Sequence, residues 1–103
     1  MATLLETDGY SVIQASDGKQ AQAHCQETVF DLVITDLVMP EQEGLETIHA
    51  LRKQSPNLPV IAISGAFAGA YLELARKLGA SAVFRKPFEP GSILCEIHRL
   101  IQR

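Results

Sequence analysis

The chain has 103 residues, which is the length of one domain and too short for a multidomain enzyme. Its 47% hydrophobic and 20% charged residues exclude a disordered chain, and a net charge of −3 with scattered basic residues argues against direct nucleic-acid binding. A membrane-spanning helix needs about 20 apolar residues, and every apolar run in this chain is much shorter. The first residues also lack the pattern of a secretory signal. We therefore expect a soluble cytoplasmic domain without membrane contact.

Short β-rich runs alternate with longer segments of helical period along the whole chain. The run Val60–Ile63 is apolar throughout, as is typical of a strand covered on both faces. This alternation predicts parallel βαβ units. In chain order, the predicted elements are a strand over Tyr10–Ala15, a helix over Gly18–Glu27, a strand over Asp31–Asp36, a helix over Gly44–Lys53, a strand over Val60–Ser64, a helix over Ala68–Leu78, a strand over Ala82–Arg85 and a helix over about Gly91–Gln102.

The first residues resemble the end of a helix rather than its beginning. Leu4 and Leu5 provide apolar helix positions, and Asp8-Gly9 follows as a stop signal. Only seven residues precede that stop signal. We therefore expect that a segment is missing upstream and that the domain is incomplete at its N-terminus.

Polar side chains stand at the ends of three consecutive predicted strands. Asp36 and Ser64 end two of these strands, and Lys86 directly follows a third. In open parallel sheets, binding groups gather at the carboxyl ends of the strands. A carboxylate, a hydroxyl and an ammonium group are what an aspartate-based phosphoryl acceptor requires.

Each of these residues also has an ordinary structural interpretation. Asp36 alone could simply cap a turn, as Asp commonly does before a loop. Three such residues at consecutive strand ends favour one shared site instead.

Several segments together resemble the receiver domain of two-component response regulators, and the resemblance spans nearly the whole chain. The pairing of a D-x-x-M-P segment with a K-P-F segment is specific to that family. The segments are Leu32-Val33-Ile34-Thr35-Asp36-Leu37-Val38-Met39-Pro40 followed by Gly44, then Val60-Ile61-Ala62-Ile63-Ser64-Gly65-Ala66, and finally Leu78-Gly79-Ala80 leading to Arg85-Lys86-Pro87-Phe88.

The resemblance implies a flavodoxin-like α/β fold, with a parallel sheet and flanking helices, over residues 1–103. It implies that Asp36 accepts a phosphoryl group from a histidine kinase or a phosphotransfer protein. It also implies that Ser64 supplies the hydroxyl that moves toward the phosphoryl group and that Lys86 pairs with it. By the same analogy Pro87 follows a cis peptide bond, and Asp36 and the backbone carbonyl of Val38 are metal ligands.

The chain departs from the family pattern in its metal-binding carboxylates. Family members begin with an apolar strand that ends in two adjacent acidic residues, which hold Mg²⁺. Nowhere in this chain do two Asp or Glu residues stand side by side. We therefore expect Mg²⁺ binding to be weak or absent.

The same departure affects the sheet, which is expected to show four recognisable strands and to lack the central first one. A gap in a parallel sheet exposes unpaired backbone groups. A homodimer that closes this gap is one possible consequence.

A second departure concerns the aromatic residue that many family members carry three residues before the site lysine. Here that position is Val83, and the aromatic residue is Phe84. Because side chains alternate faces along a strand, we expect Phe84 to belong to the core.

Three functions remain open from the sequence. The first is a phosphoacceptor signalling domain with no catalysis beyond its own phosphorylation and dephosphorylation. The second is a degenerate domain that binds a partner protein without phosphorylation. The third is an aspartyl-nucleophile phosphatase, although such enzymes carry a second Asp two residues after the first, where this chain has Val38.

Overall fold

The computed structural model describes the backbone of residues 2–7, 9–15, 18–37, 41–65 and 69–101, and the side chains of 5–7, 9–15, 19–35, 45–65 and 73–101. Helices and strands alternate along most of this length. Their bounds are α1 Ala2–Thr7, α2 Gly18–Glu27, β1 Val33–Leu37, α3 Glu41–Gln54, β2 Val60–Ser64, α4 Gly69–Leu78, β3 Ala82–Arg85 and α5 Pro90–Ile101. Among the helices described, none combines the length and hydrophobicity of a membrane span.

The three strands form one parallel sheet in the order β1-β2-β3. Val60–Ser64 is buried at every position, because β2 has a strand on each side and helices over both faces. The apolar run in the sequence therefore marks the centre of the described sheet.

The side chains of β2 alternate between two hydrophobic clusters. Val60 and Ala62 join residues of α3 and α4 on one face, which we call the α3/α4 face. Ile61 and Ile63 pack against α5 on the other face, which we call the α5 face. This period of two places one core layer on each side of the sheet.

Helix α5 covers its face of the sheet with one apolar stripe. It begins at Pro90, a residue favoured at the first helical position because its ring fixes φ and no amide partner is needed there. Ile93, Ile97 and Leu100 are buried, and Ile101 is half-buried against the same cluster. These four residues, at i, i+4, i+7 and i+8, form one helical stripe that packs against the sheet.

The segment Tyr10–Ala15 differs from its prediction, since it forms no strand. Its alternating pattern is real, because Tyr10 and Val12 are half-buried whereas Ser11 and Ile13 are exposed. A strand also needs a neighbour that accepts and donates backbone hydrogen bonds. In the described part of the chain no strand lies in ladder contact with this segment, so the described sheet has three strands and not four.

The outer edge of β1 is open among the described residues, because β1 pairs only with β2. The Val33 amide donates to the Pro59 carbonyl, with a nitrogen–oxygen distance of 3.0 Å. In a parallel ladder successive residues point their backbone groups to opposite sides. The backbone groups of Ile34 and Asp36 therefore point away from β2, toward the open edge.

The remaining boundaries follow the sequence closely. The strands Val60–Ser64 and Ala82–Arg85 and the helix Gly18–Glu27 have their predicted bounds. Helix α3 begins at Glu41, three residues before the predicted start at Gly44. Acidic residues are favourable in the first turn, where the helix dipole is positive, so Glu41 is a better start signal than the glycine.

Candidate functional site

The carboxyl ends of the three strands form one row at a single edge of the sheet, which we call the carboxyl edge. Leu37 of β1 pairs in register with Ser64 of β2, and Ser64 pairs with Arg85 of β3. Asp36 lies one residue before Leu37 and is aligned with Ile63. Short parallel strands in register therefore gather residues that lie far apart in the chain.

Ser64 and the end of β3 are joined directly. The Lys86 amide donates to the Ser64 carbonyl, with a nitrogen–oxygen distance of 2.7 Å. The Ser64 side chain is fully buried, whereas Lys86 is exposed. The Lys86–Pro87 peptide bond is cis. The structure thus brings two of the predicted site residues together at the carboxyl edge.

The remaining predicted ligands are only partly described. The backbone of Asp36 is part of β1, but its side chain lies outside the described residues, as does the whole of Val38. Glu41 and Glu43 belong to the first turn of α3, and their side chains are likewise outside. In the ranges that are described, no three His, Cys, Asp or Glu side chains could hold a metal ion.

The two residues near the aromatic position point to different faces of the sheet. Val83 packs on the α3/α4 face and Phe84 on the α5 face. The rings of Phe84 and Phe88 are 5.9 Å apart between centroids, in a tilted arrangement typical of aromatic pairs. Phe84 therefore belongs to the core, as its alternation predicts.

The sequence pattern does not single out Arg85, although this residue stands in the row of strand ends. It is exposed and pairs in register with Ser64. The available signal was two adjacent basic residues, Arg85 and Lys86, at the end of a predicted strand. Pattern alone could not show which of the two is aligned with Ser64, because this depends on the register between β2 and β3.

A groove of about 500 Å³ lies at the opposite, amino edge of the sheet. It is lined by residues that precede β1 and β2, such as Phe30 and Pro59, and by Leu100 and Ile101 at the end of α5. The groove contains none of the candidate site residues, and ligands of open parallel sheets bind at the carboxyl ends of strands. We therefore assign the candidate site to the carboxyl edge.

A parallel sheet with helices on both faces and a polar carboxyl edge defines the doubly wound α/β class of domain. Within this class, residues 1–98 match the family described as the response regulator receiver domain. The chain therefore belongs to the response regulator receiver family, and its function is that of a two-component signalling domain.

Curated relatives include longer regulators. The chain is 34% identical over 100 residues to the transcriptional regulatory protein CpxR of Escherichia coli (strain K12), a match covering 97% of this chain and 42% of CpxR. It is 30% identical over 99 residues to the alkaline phosphatase synthesis transcriptional regulatory protein PhoP of Bacillus subtilis (strain 168), covering 96% of this chain and 41% of PhoP. The chain thus spans less than half the length of these relatives.

Solved receiver domains have the same fold. The receiver domain of NtrX from Brucella abortus superposes with a TM-score of 0.90 at 28% identity, covering 98% of this chain and 86% of that one. A response regulator receiver domain protein from Clostridium thermocellum gives a TM-score of 0.89 at 32% identity, covering 98% and 82%. The flavodoxin-like fold expected from the sequence is confirmed.

Proposed function

We propose that Asp36 is the phosphoacceptor of this receiver domain and that its donor is a histidine kinase or a phosphotransfer protein. The observation that carries the proposal is the register at the carboxyl edge, where Leu37, Ser64 and Arg85 form one row. Asp36 lies one residue before this row and Lys86 one residue after it. An acidic nucleophile, a hydroxyl and an ammonium group therefore belong to neighbouring strand ends.

The proposed chemistry is a displacement at phosphorus. A carboxylate oxygen of Asp36 attacks the phosphorus atom, the bond from phosphorus to the donor nitrogen breaks, and its electron pair leaves with the donor. Lys86 and Ser64 stabilise negative charge on the transferred oxygens. Because Ser64 is fully buried in this structure, its hydroxyl reaches the phosphoryl group only after a local rearrangement at the end of β2.

The proposal includes weak binding of Mg²⁺, which the Asp36 carboxylate and the Val38 backbone carbonyl would hold. Mg²⁺ requires oxygen ligands and supplies positive charge beside the phosphoryl oxygens. Because the chain has no two adjacent acidic residues, these oxygen atoms would hold Mg²⁺ only weakly. We expect Mg²⁺ titration of the wild type, followed by NMR, to saturate only at high concentration and to lose its effect in Asp36→Asn.

Incubation with acetyl phosphate and Mg²⁺, followed by intact mass, tests the phosphoacceptor. We expect the wild type to gain the mass of one phosphoryl group and Asp36→Asn to gain none. Asp31→Asn is the matched control, because Asp31 is exposed and precedes β1 at the amino edge. A mass gain that survives Asp36→Asn, or that is lost in Asp31→Asn, contradicts the assignment.

A partner-binding domain that acts without phosphorylation is the second candidate. It is favoured by the lack of adjacent acidic residues, which removes the usual metal ligands. No mass gain in the wild type would select this candidate. Sustained release of phosphate from a phosphate ester, lost in Asp36→Asn, would select a phosphatase instead.

We infer further that a second copy of the chain covers the open edge of β1. The backbone groups of Ile34 and Asp36 point away from β2, and no strand of the described ranges pairs with β1 on that side. Two such edges can pair about a twofold axis. Light scattering over a range of protein concentrations tests this inference. A strictly monomeric protein at high concentration contradicts it.

The proposal treats residues 1–103 as one receiver domain in the cytoplasm. The names of the curated relatives as transcriptional regulatory proteins support that location. Because the relatives have longer chains, they also support the proposal that the signal passes from this domain to a separate domain or to a partner protein.

A further inference from the structure

Two cationic residues stand side by side at the end of β3, and only Lys86 is part of the site proposed above. Arg85 pairs in register with Ser64, so their Cα atoms are one strand spacing apart, about 4.8 Å. Leu37 lies one spacing further along the same row, about 10 Å from Arg85. A long arginine side chain and a phosphoryl group together can bridge such a distance.

Arg85 lies on the same face of the sheet as Ser64. Val83 packs on the α3/α4 face, and side chains alternate along a strand, so Arg85 lies on that face too. Ser64 shares this face with Ala62, again by alternation. Lys86 directly follows β3, and its backbone amide donates to the Ser64 carbonyl. Ser64 therefore has Arg85 aligned with it on its own face of the sheet and Lys86 joined to it through the backbone.

The Arg85 side chain is accessible from outside. It is exposed, in contrast to the fully buried Ser64. Among the residues that the structure describes, the ion pair found joins Arg99 to Glu96, and no carboxylate of this part of the chain pairs with Arg85. An external anion at the carboxyl edge would thus meet a guanidinium group that no described acidic residue neutralises.

We propose that Arg85 is a second phosphoryl-binding cation of the site, which binds the anionic oxygens of the phosphodonor before and during transfer. The guanidinium group presents several N–H donors in a planar fork that matches phosphate oxygens, and it stays charged at all working pH values. This inference rests on the proposed function, because it concerns the same transfer to Asp36. In this proposal Arg85 makes the domain react faster with phosphodonors that carry more negative charge.

Phosphorylation rates of Arg85 variants test the proposal with two small donors of different charge, acetyl phosphate and phosphoramidate. We expect Arg85→Gln to slow phosphorylation by acetyl phosphate, the more negative donor, about fivefold, and Arg85→Lys to recover part of that loss. The effect with phosphoramidate should be smaller. Arg76→Gln is the matched control, since Arg76 is exposed in the last turn of α4 and should leave both rates unchanged.

Two outcomes separate this proposal from the assignment of Asp36. Equal rates for the wild type and Arg85→Gln with both donors, in folded proteins, overturn the role of Arg85 while Asp36 stands. If the wild type is not phosphorylated at all, the assignment of Asp36 fails, and titration with inorganic phosphate tests Arg85 alone. A saturable shift of the Arg85 Nε–H signal in the NMR spectrum then supports the cation site, and no shift overturns it.

Discussion

Arg52 joins the end of α3 to the turn after α4 through two hydrogen bonds. Its guanidinium group donates to the Pro56 and Gly79 carbonyl oxygens, at 2.5 and 2.6 Å. Gly79 has a φ of +122°, and a Cβ atom built there would lie 2.8 Å from Arg52 Nε. Glycine is therefore required at position 79 both by its backbone conformation and by the close approach of Arg52.

We predict that Gly79→Ala lowers the free energy of unfolding by about 2 kcal/mol, from backbone strain and displacement of Arg52. Urea denaturation measures the change. Gly91→Ala is the control, because Gly91 lies in α5 with open space around its Cβ position, and alanine there should be neutral or stabilising by up to about 1 kcal/mol. Similar losses for both variants would contradict the argument.

The two cysteines should differ in reactivity toward a thiol reagent. Burial raises the pKa of the Cys25 thiol above its ordinary value, so less thiolate is present at a given pH. Cys95 is exposed on α5. We predict that iodoacetamide at pH 8 modifies Cys95 first, which peptide mass analysis can follow. Faster modification of Cys25 in the folded protein would show that this burial is wrong.

At the scale of elements, α5 is the helix whose packing is most completely described. Ile97 is 1% exposed and packs into the cluster on the α5 face, together with Ile61 and Ile63 of β2. Truncation of Ile97 should therefore leave a cavity as well as lose buried apolar area.

We predict that Ile97→Ala lowers the free energy of unfolding by about 3 kcal/mol and Ile97→Val by about 1 kcal/mol. The valine variant keeps the measurement possible if the alanine variant is unfolded. Leu74→Ala on α4 is the control, since Leu74 is 46% exposed and should cost less than about 1 kcal/mol. Urea denaturation measures these changes. If Leu74→Ala had the lowest urea midpoint of the three variants, the assignment of Ile97 to the core would be contradicted.

The sequence predicts most elements but fails at one strand. Val60–Ser64 is identified correctly because a strand covered on both faces is apolar at every position. Tyr10–Ala15 has an equally clear alternation, yet it forms no strand, because pairing depends on a neighbour in space and not on the segment itself. The local sequence pattern therefore predicts burial more reliably than it predicts which segments pair as strands.

At the scale of the whole molecule, the open edge of β1 should be visible in hydrogen exchange. The backbone groups of Val33 and Thr35 point toward β2, and those of Ile34 point away from it. We predict slow exchange for the Val33 and Thr35 amides and fast exchange for Ile34 in the monomer, measured by NMR. Protection of Ile34 at low protein concentration would mean that another segment pairs with β1.

The candidate site could be predicted only in part. The sequence indicates Asp36, Ser64 and Lys86 because parallel sheets bring strand ends to one edge, and the family motifs point to the same residues. Arg85 was missed because its position beside Ser64 follows from the register between β2 and β3, which residue types do not determine. A motif names candidates, whereas the three-dimensional register decides which of them are neighbours.

Strand β2 supplies side chains to both hydrophobic layers and hydrogen bonds to both flanking strands. Neither layer can persist when this strand is lost, so the protein should denature in one all-or-none step despite having two distinct apolar clusters. Laboratory evolution of a more heat-tolerant variant should therefore leave Val60–Ser64 untouched and place its diversity on the outward surfaces of the helices.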